Sequence, residues 1–181
     1  FQTCALPICL YLDRMADLGV EVGSIPLNSF FWDLISPMAA PIDFIVSMSL
    51  TFEQANLDFS LHYRDAFRAA GDDVTADIMA RVLVDEVAHV RHGVRFFEAW
   101  RDPTLSQWEA YQAALAFPLT AARAKGIGFT VQHRLEAGLD QDFVDRLRVY
   151  SHSKGRPPRV AFFNPDTERA LGRRATGTTP T

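Results

Sequence analysis

The chain has 181 residues, of which 48% are hydrophobic and 14 are Phe, and its formal net charge is -4. That is one domain's length with enough apolar side chains for a real core, and a mildly acidic balance gives no electrostatic reason to expect a nucleic-acid surface. The longest apolar runs, at residues 44–50 and 94–100, are too short to span a bilayer. No lysine-led signal peptide with a small-residue cleavage site is visible, and two cysteines, Cys4 and Cys9, do not make a disulfide framework. A cytoplasmic location without membrane contact is expected.

The first residues read as foreign. Phe1 is not a start Met, and Gln2 to Ile8 back-translate to a common sequencing-adapter oligonucleotide read in frame. Residues 1–9 are therefore set aside as adapter-derived, and the natural protein is expected to extend further upstream. From Leu10 the apolar residues Leu12, Met15 and Leu18 fit the end of a helix stopped near Gly19. Residues 20–40 hold Gly23, Pro26, Asn28 and Pro37, which marks a crossover with a short helical turn over 30–34. Pro41 suits a helix first turn. From there to Ala70 runs one periodic segment with Phe44, Met48, Phe52, Ala55, Phe59, Tyr63 and Phe67 at three- and four-residue spacing. These Phe and Met residues are read as core.

Gly71-Asp72-Asp73 is a stop and restart, with Asp73 or Thr75 as the N-cap. The next helix continues to about Trp100 on a stripe of Ile78, Val82, Glu86, His89, Gly93 and Phe97, and Asp102-Pro103 ends it. Shorter helices are expected over 106–116 and 140–150. The domain thus spans 10–150. Residues 151–181, rich in Arg, Pro, Gly and Thr, read as a loosely held tail whose arginines (Arg156, Arg159, Arg173, Arg174) are solvated. No strand is expected.

Glu86 and His89 form a Glu-x-x-His pair, which puts a carboxylate and an imidazole on one helical face. With a Glu from a neighbouring helix this is half the ligand set of a dinuclear carboxylate bundle. Such pairs arise by chance, so heights along the bundle carry the test. If the two long helices form an antiparallel hairpin pivoting at Asp72, Glu53 lies 19 residues before the pivot and His89 lies 17 after it. At ~1.5 Å per residue their heights agree to roughly 3 Å. A carboxylate on an apolar stripe is costly unless paired or bound to a cation. Glu53, Glu86 and His89 are therefore the candidate metal ligands. Asp85 is a candidate hydrogen-bond acceptor for the imidazole. His92 is either a further ligand or a supporting surface residue, whereas His62, His133 and His152 have no acidic partner at ligand spacing.

The strings Pro26-Leu27-Asn28-Ser29-Phe30-Phe31-Trp32, residues 48–58 (Met-Ser-Leu-Thr-Phe-Glu-Gln-Ala-Asn-Leu-Asp) and Asp85-Glu86-Val87-Ala88-His89-Val90, with a weaker match over 134–140, resemble the bacterial domain-of-unknown-function family 455. That family is similar, more distantly, to di-iron tRNA hydroxylases and rubrerythrin-like oxidases. The resemblance implies an all-α, ferritin-like four-helix bundle. Glu53 would be the lone Glu of its third helix, and Glu86 with His89 the Glu-x-x-His of its fourth. It also implies two iron ions, with manganese as the other possibility. The family's first helix and most of its second, with about half the ligands, would precede Leu10. The chain as written is thus expected to be an inactive, poorly stable fragment that holds at most one metal.

The intact protein is expected to be a dinuclear oxidoreductase acting on a small molecule or a modified RNA, with a homodimer as one arrangement open to it. The alternative is a non-enzymatic metal-binding or structural helical protein. An open cavity beside Glu86 and His89 would favour the enzyme, and closure by Phe52, Phe96 or Phe97 the alternative.

Overall fold

The computed structural model describes residues 6–24, 26, 29–115 and 118–151. Cys4, His152, the tail from residue 152 and its four arginines lie outside the described residues, as do parts of the 26–32 string. In chain order the elements are α1 (Leu6–Asp17), α2 (Phe30–Ile35), α3 (Pro41–Ser47), a π-helical segment (Met48–Glu53), α4 (Gln54–Ala69) and α5 (Asp73–Trp100). They are followed by α6 (Gln107–Ala114), a 3-10 turn (Ala121–Ala124), α7 (Val131–Glu136) and α8 (Gln141–Val149). Among the described residues there is no strand, and no helix is long and apolar enough to cross a membrane.

The hairpin expected from the 3.6-residue period is the spine of the molecule: α3, the π segment and α4 run out, and α5 returns. Its turn closes by a Schellman pattern, in which Gly71 N–H donates to Arg68 O at 3.1 Å and Asp72 N–H donates to Phe67 O at 2.9 Å. Gly71 has φ +81°, a conformation that costs a residue without Cβ nothing. The N-cap of α5 is Asp72, not Asp73 or Thr75: its carboxylate accepts the Thr75 N–H at 3.0 Å and the Thr75 hydroxyl at 2.6 Å. Those bonds, with help from Arg14, hold the Asp72 carboxyl down to about 2. Arg14 of α1 reaches the same carboxylate from its Nη2 at 2.9 and 3.0 Å, and so docks α1 on the hairpin turn. α1 begins at Leu6, inside the stretch set aside on sequence grounds, and Cys9 on it is a free, exposed thiol.

The core is not where the aromatic stripe pointed. Ile45, Val46, Leu50 and Leu57 of the outgoing limb pack on Leu83, Val87, Val90, Val94 and Phe97 of α5. Over this layer lie Tyr111 and Trp108 of α6 with Phe143, Val144 and Leu147 of α8. Phe44 and Tyr63, by contrast, are exposed, and Met48, Phe52, Phe59 and Phe67 are only half-buried. The return stripe is corrected in the same sense. Val82, Gly93 and Phe97 are buried, but Ile78, Glu86 and His89 sit at the margin of the core. Aliphatic side chains fill the seam, and the aromatic ones are left to wall the clefts beside it.

Candidate metal centre

Glu53 ends the π segment, which makes that segment the first determinant of the site. In a π turn the N–H bonds reach back five residues, which widens the helix locally and re-aims the side chains that follow. Two buried hydroxyls brace it. Thr51 Oγ1 donates to Val46 O at 2.7 Å and meets Tyr111 Oη at 2.9 Å. The Thr51 hydroxyl has one proton, already given to Val46, so Tyr111 must be the donor of the second bond. Across the hairpin the wide turn presses on α5 at Gly93, where any Cβ would overlap Ser49 Cβ and lie 2.8 Å from Ser49 Oγ. Gly93 is thus required by the close approach of two helices.

Glu86 and His89 sit one turn apart on α5, with His89 Nδ1 3.7 Å from Glu86 Oε2. Asn56, one turn after Glu53, donates its amide to Glu86 Oε1 at 3.2 Å. The other carboxylate oxygen, Glu86 Oε2, is shielded from solvent with no hydrogen-bond partner, and so is Glu53 Oε2. Burial, reinforced by the charge of Glu53 and opposed by Asn56 and His89, raises the pKa of Glu86. The same carboxylate, after burial, pushes up the phenol of Tyr11 on α1. An orphaned buried carboxylate oxygen is expensive, and two of them beside an imidazole fit a cation. Among the described residues, however, no group of three or more His, Cys, Asp or Glu side chains is gathered tightly enough to hold a metal ion.

Glu53 and His89 separate two open clefts. One, of about 690 Å³, holds Glu53, Glu86, His89 and Asn56 together with Phe30, Phe31, Phe52 and Phe59. The other, of about 620 Å³, opens on Asp85, His92, Phe96 and Trp100. The three candidate ligands therefore share the first cleft. Asp85 and His92 belong to the second. Asp85 lies 3.6 Å from Arg81 and its Oδ2 is without a hydrogen bond, so it does not steady the imidazole of His89. His92 is exposed, with its ring against Phe96 at 4.8 Å. His133 faces Thr130, its Nδ1 3.0 Å from the hydroxyl.

Sequence reasoning passed over Asn56, Tyr11 and Tyr111. It also passed over the residues that fix α4 behind the site. Asp58 and Arg134 are both fully buried and joined by two hydrogen bonds of 2.7 and 2.8 Å. The signal available was Gln54 and Asp58 falling at core spacing with Leu50, Leu57 and Leu61, since polar groups there must be satisfied from outside the helix.

The molecule is thus an α-helical protein with a carboxylate–imidazole cluster in an open, aromatic-walled cleft at the middle of a long hairpin. The chain belongs to the family described as protein of unknown function (DUF455), whose model matches residues 8–145. No curated protein and no solved structure matches it.

Proposed function

We propose that this chain carries half of a ferritin-like metal centre and that the centre serves an oxidoreductase. Glu53, Glu86 and His89 would hold iron or manganese. The supporting observation is the pair of sheltered, unpartnered oxygens, Glu53 Oε2 and Glu86 Oε2, in a cleft shared with His89. A cation there offsets the cost of burying both carboxylates and opposes the rise in the pKa of Glu86. Carboxylate and imidazole donors suit iron or manganese, and an ion with open coordination positions would supply redox chemistry at the floor of the cleft. The chain's own part is to hold the donors on two rigid helices and to keep one wall of the cleft apolar. The enzyme reading is favoured over passive metal binding because the cleft is open: Phe97 is buried in the core, and Phe52 forms a wall rather than a lid.

Anaerobic loading with ferrous iron, desalting and metal counting tests this reading. Three side chains are half of a six-ligand dinuclear set, so about one ion per chain is expected. Glu86→Ala combined with His89→Ala should abolish it. Unchanged iron content in that double variant would sink the metal reading.

A further inference from the structure

The second cleft has an acidic end and an aromatic end, and no lysine or arginine is among the described residues that line it. The hairpin sets the order of the two ends. Gly93 of α5 packs on Ser49, so Glu53, one turn after Ser49, stands level with His89, one turn before Gly93. Asp85 lies one turn further on. In the other direction the same count puts Phe44 level with Phe96 and Trp100. From Asp85 to Trp100 the cleft runs ~22 Å along α5, at ~1.5 Å per residue.

The acidic end is short of positive charge. Asp85 accepts no hydrogen bond among the described residues: Oδ2 is shielded from solvent without a partner, and Oδ1 is the oxygen left open. Its ion-pair contact is Arg81, whose Nε stands 3.6 Å from Oδ2, beyond a good hydrogen bond, on a half-exposed side chain that does not line the cleft. Such a pair, one turn apart on a helix surface, is weak. Glu53 has no ion pair among the described residues, and its Oε2 is shielded without a partner. With Arg81 counted, carboxylates at this end still outnumber cations. At the other end His92, Phe96 and Trp100 touch in succession, their ring centroids 4.8 and 5.0 Å apart. Trp100 and Phe44 keep 46% and 44% of their surface exposed.

We infer that the second cleft binds an organic cation, a protonated amine on a long apolar body, with the ammonium at Asp85 beside Glu53 and the body along His92 and Phe96 toward Trp100. An ammonium brings three donors to carboxylates that lack them, and the bonds it makes there are charge-assisted. An anionic or neutral occupant would leave the same carboxylates unpaired. Aromatic rings accept either the methylenes of such a body or the fringe of its charge. A volume of about 620 Å³ suits a ligand of that kind. The inference does not rest on the metal centre, because Asp85 is not among its proposed ligands. A metal ion drawing on Glu53 from the first cleft leaves Asp85 as the seat.

A matched pair of fluorescent probes tests it. Dansylcadaverine carries a primary amine on a five-carbon chain with a naphthalene ring at the far end, and its N-acetyl derivative has the same body without the charge. The titrations are run on the full chain with chelator present, at pH 8, where an ordinary imidazole is neutral and an alkylamine is charged. The amine should bind about tenfold tighter than the acetylated probe, the size of one charge-assisted contact. Asp85→Asn should abolish that preference and leave the acetylated probe's affinity unchanged. Trp100→Ala, at an exposed side chain, should weaken both probes alike, with circular dichroism to check that α5 is intact. Equal affinities in the wild type, or a preference that survives Asp85→Asn, would overturn the inference. So would indifference of both probes to Trp100→Ala, or loss of the preference in Phe31→Ala, which lies in the first cleft. Because the metal is chelated throughout, failure of the amine preference counts against this cleft alone, and failure of iron loading counts against the metal centre alone.

Discussion

Glu53 and Asp58 are five residues apart on one limb of the hairpin, and they have met opposite fates. Asp58 is fully buried yet wants nothing. It accepts from Gly126 N, Thr130 N and both terminal nitrogens of Arg134. Arg134 is equally complete: besides Asp58 it donates to Thr130 O at 2.7 Å and Ala124 O at 2.9 Å. Its Nε reaches Gln54 at 3.1 Å when that amide is turned to satisfy both of its neighbours, and its guanidinium lies 3.9 Å over Phe129. Glu53 and Glu86 are less buried and nonetheless each keep an oxygen without a partner. The difference separates frame from site. A carboxylate whose every lone pair is used can only hold structure, and one left unsatisfied in a cleft is poised for something that arrives from outside.

The largest effect should come from breaking the satisfied pair. Asp58→Ala leaves a buried guanidinium without its counter-charge and should cost about 3–5 kcal/mol of unfolding free energy in urea titration. Arg134→Met should cost less, because the residue left behind is a carboxylate that keeps two backbone donors. A loss below about 1 kcal/mol for Asp58→Ala would erase the distinction, since surface pairs lose that much. Next in size, Tyr111→Phe removes the donor to Thr51 inside the core and should cost about 1–3 kcal/mol. It should also weaken metal retention, because the π turn that aims Glu53 loses its brace. If stability falls and metal content does not, the turn is frame alone.

The smallest effect, and the sharpest, belongs to Glu86. A carboxyl whose folded pKa lies above its unfolded value binds more protons folded than unfolded, so its contribution to stability is present at acid pH and is lost as pH rises through the folded value. Glu86 is raised in this way. In metal-free protein Glu86→Gln should therefore be neutral or mildly stabilising near pH 7, and should flatten that part of the stability–pH curve. Asp72 has the opposite sign: its stabilising bonds are present above the ordinary carboxyl range and are lost as pH falls toward about 2. A clear destabilisation by Glu86→Gln without metal would move Glu86 into the class of Asp58.

The long helices were legible because Pro41, Gly71 and the Asp102-Pro103 pair punctuate a strong 3.6-residue period. Counting from the pivot also brought Glu53, Glu86 and His89 into one cleft. Rotation was read wrongly. Large aromatic residues dominate an apolar count, so Phe44, Phe52 and Phe59 looked like the seam that Val46, Leu50 and Leu57 form. A π turn has no residue signature, and its brace, Tyr111, comes from 60 positions downstream of Thr51. Asp58 and Arg134 are 76 positions apart, beyond any spacing rule. The helix Val131–Glu136 and the 3-10 turn Ala121–Ala124 are too short for a period to be counted, yet they supply Arg123 of the cleft lining and Arg134, the partner of Asp58.

The π segment also makes the hairpin tolerant of a change that would scramble an ordinary helix. A wide turn spreads one extra residue over nearly the rotation that an α turn completes without it. Deleting one residue between Met48 and Thr51 would let the segment relax to regular α geometry and leave α3 close to its present phase on α4. The same deletion inside α4 would instead rotate one side of the cut by about 100° against the other, one residue's share of a helical turn. Seen this way, one surplus position in the chain works as a slack link, taken up in the width of a turn while two well-formed rods keep a single groove.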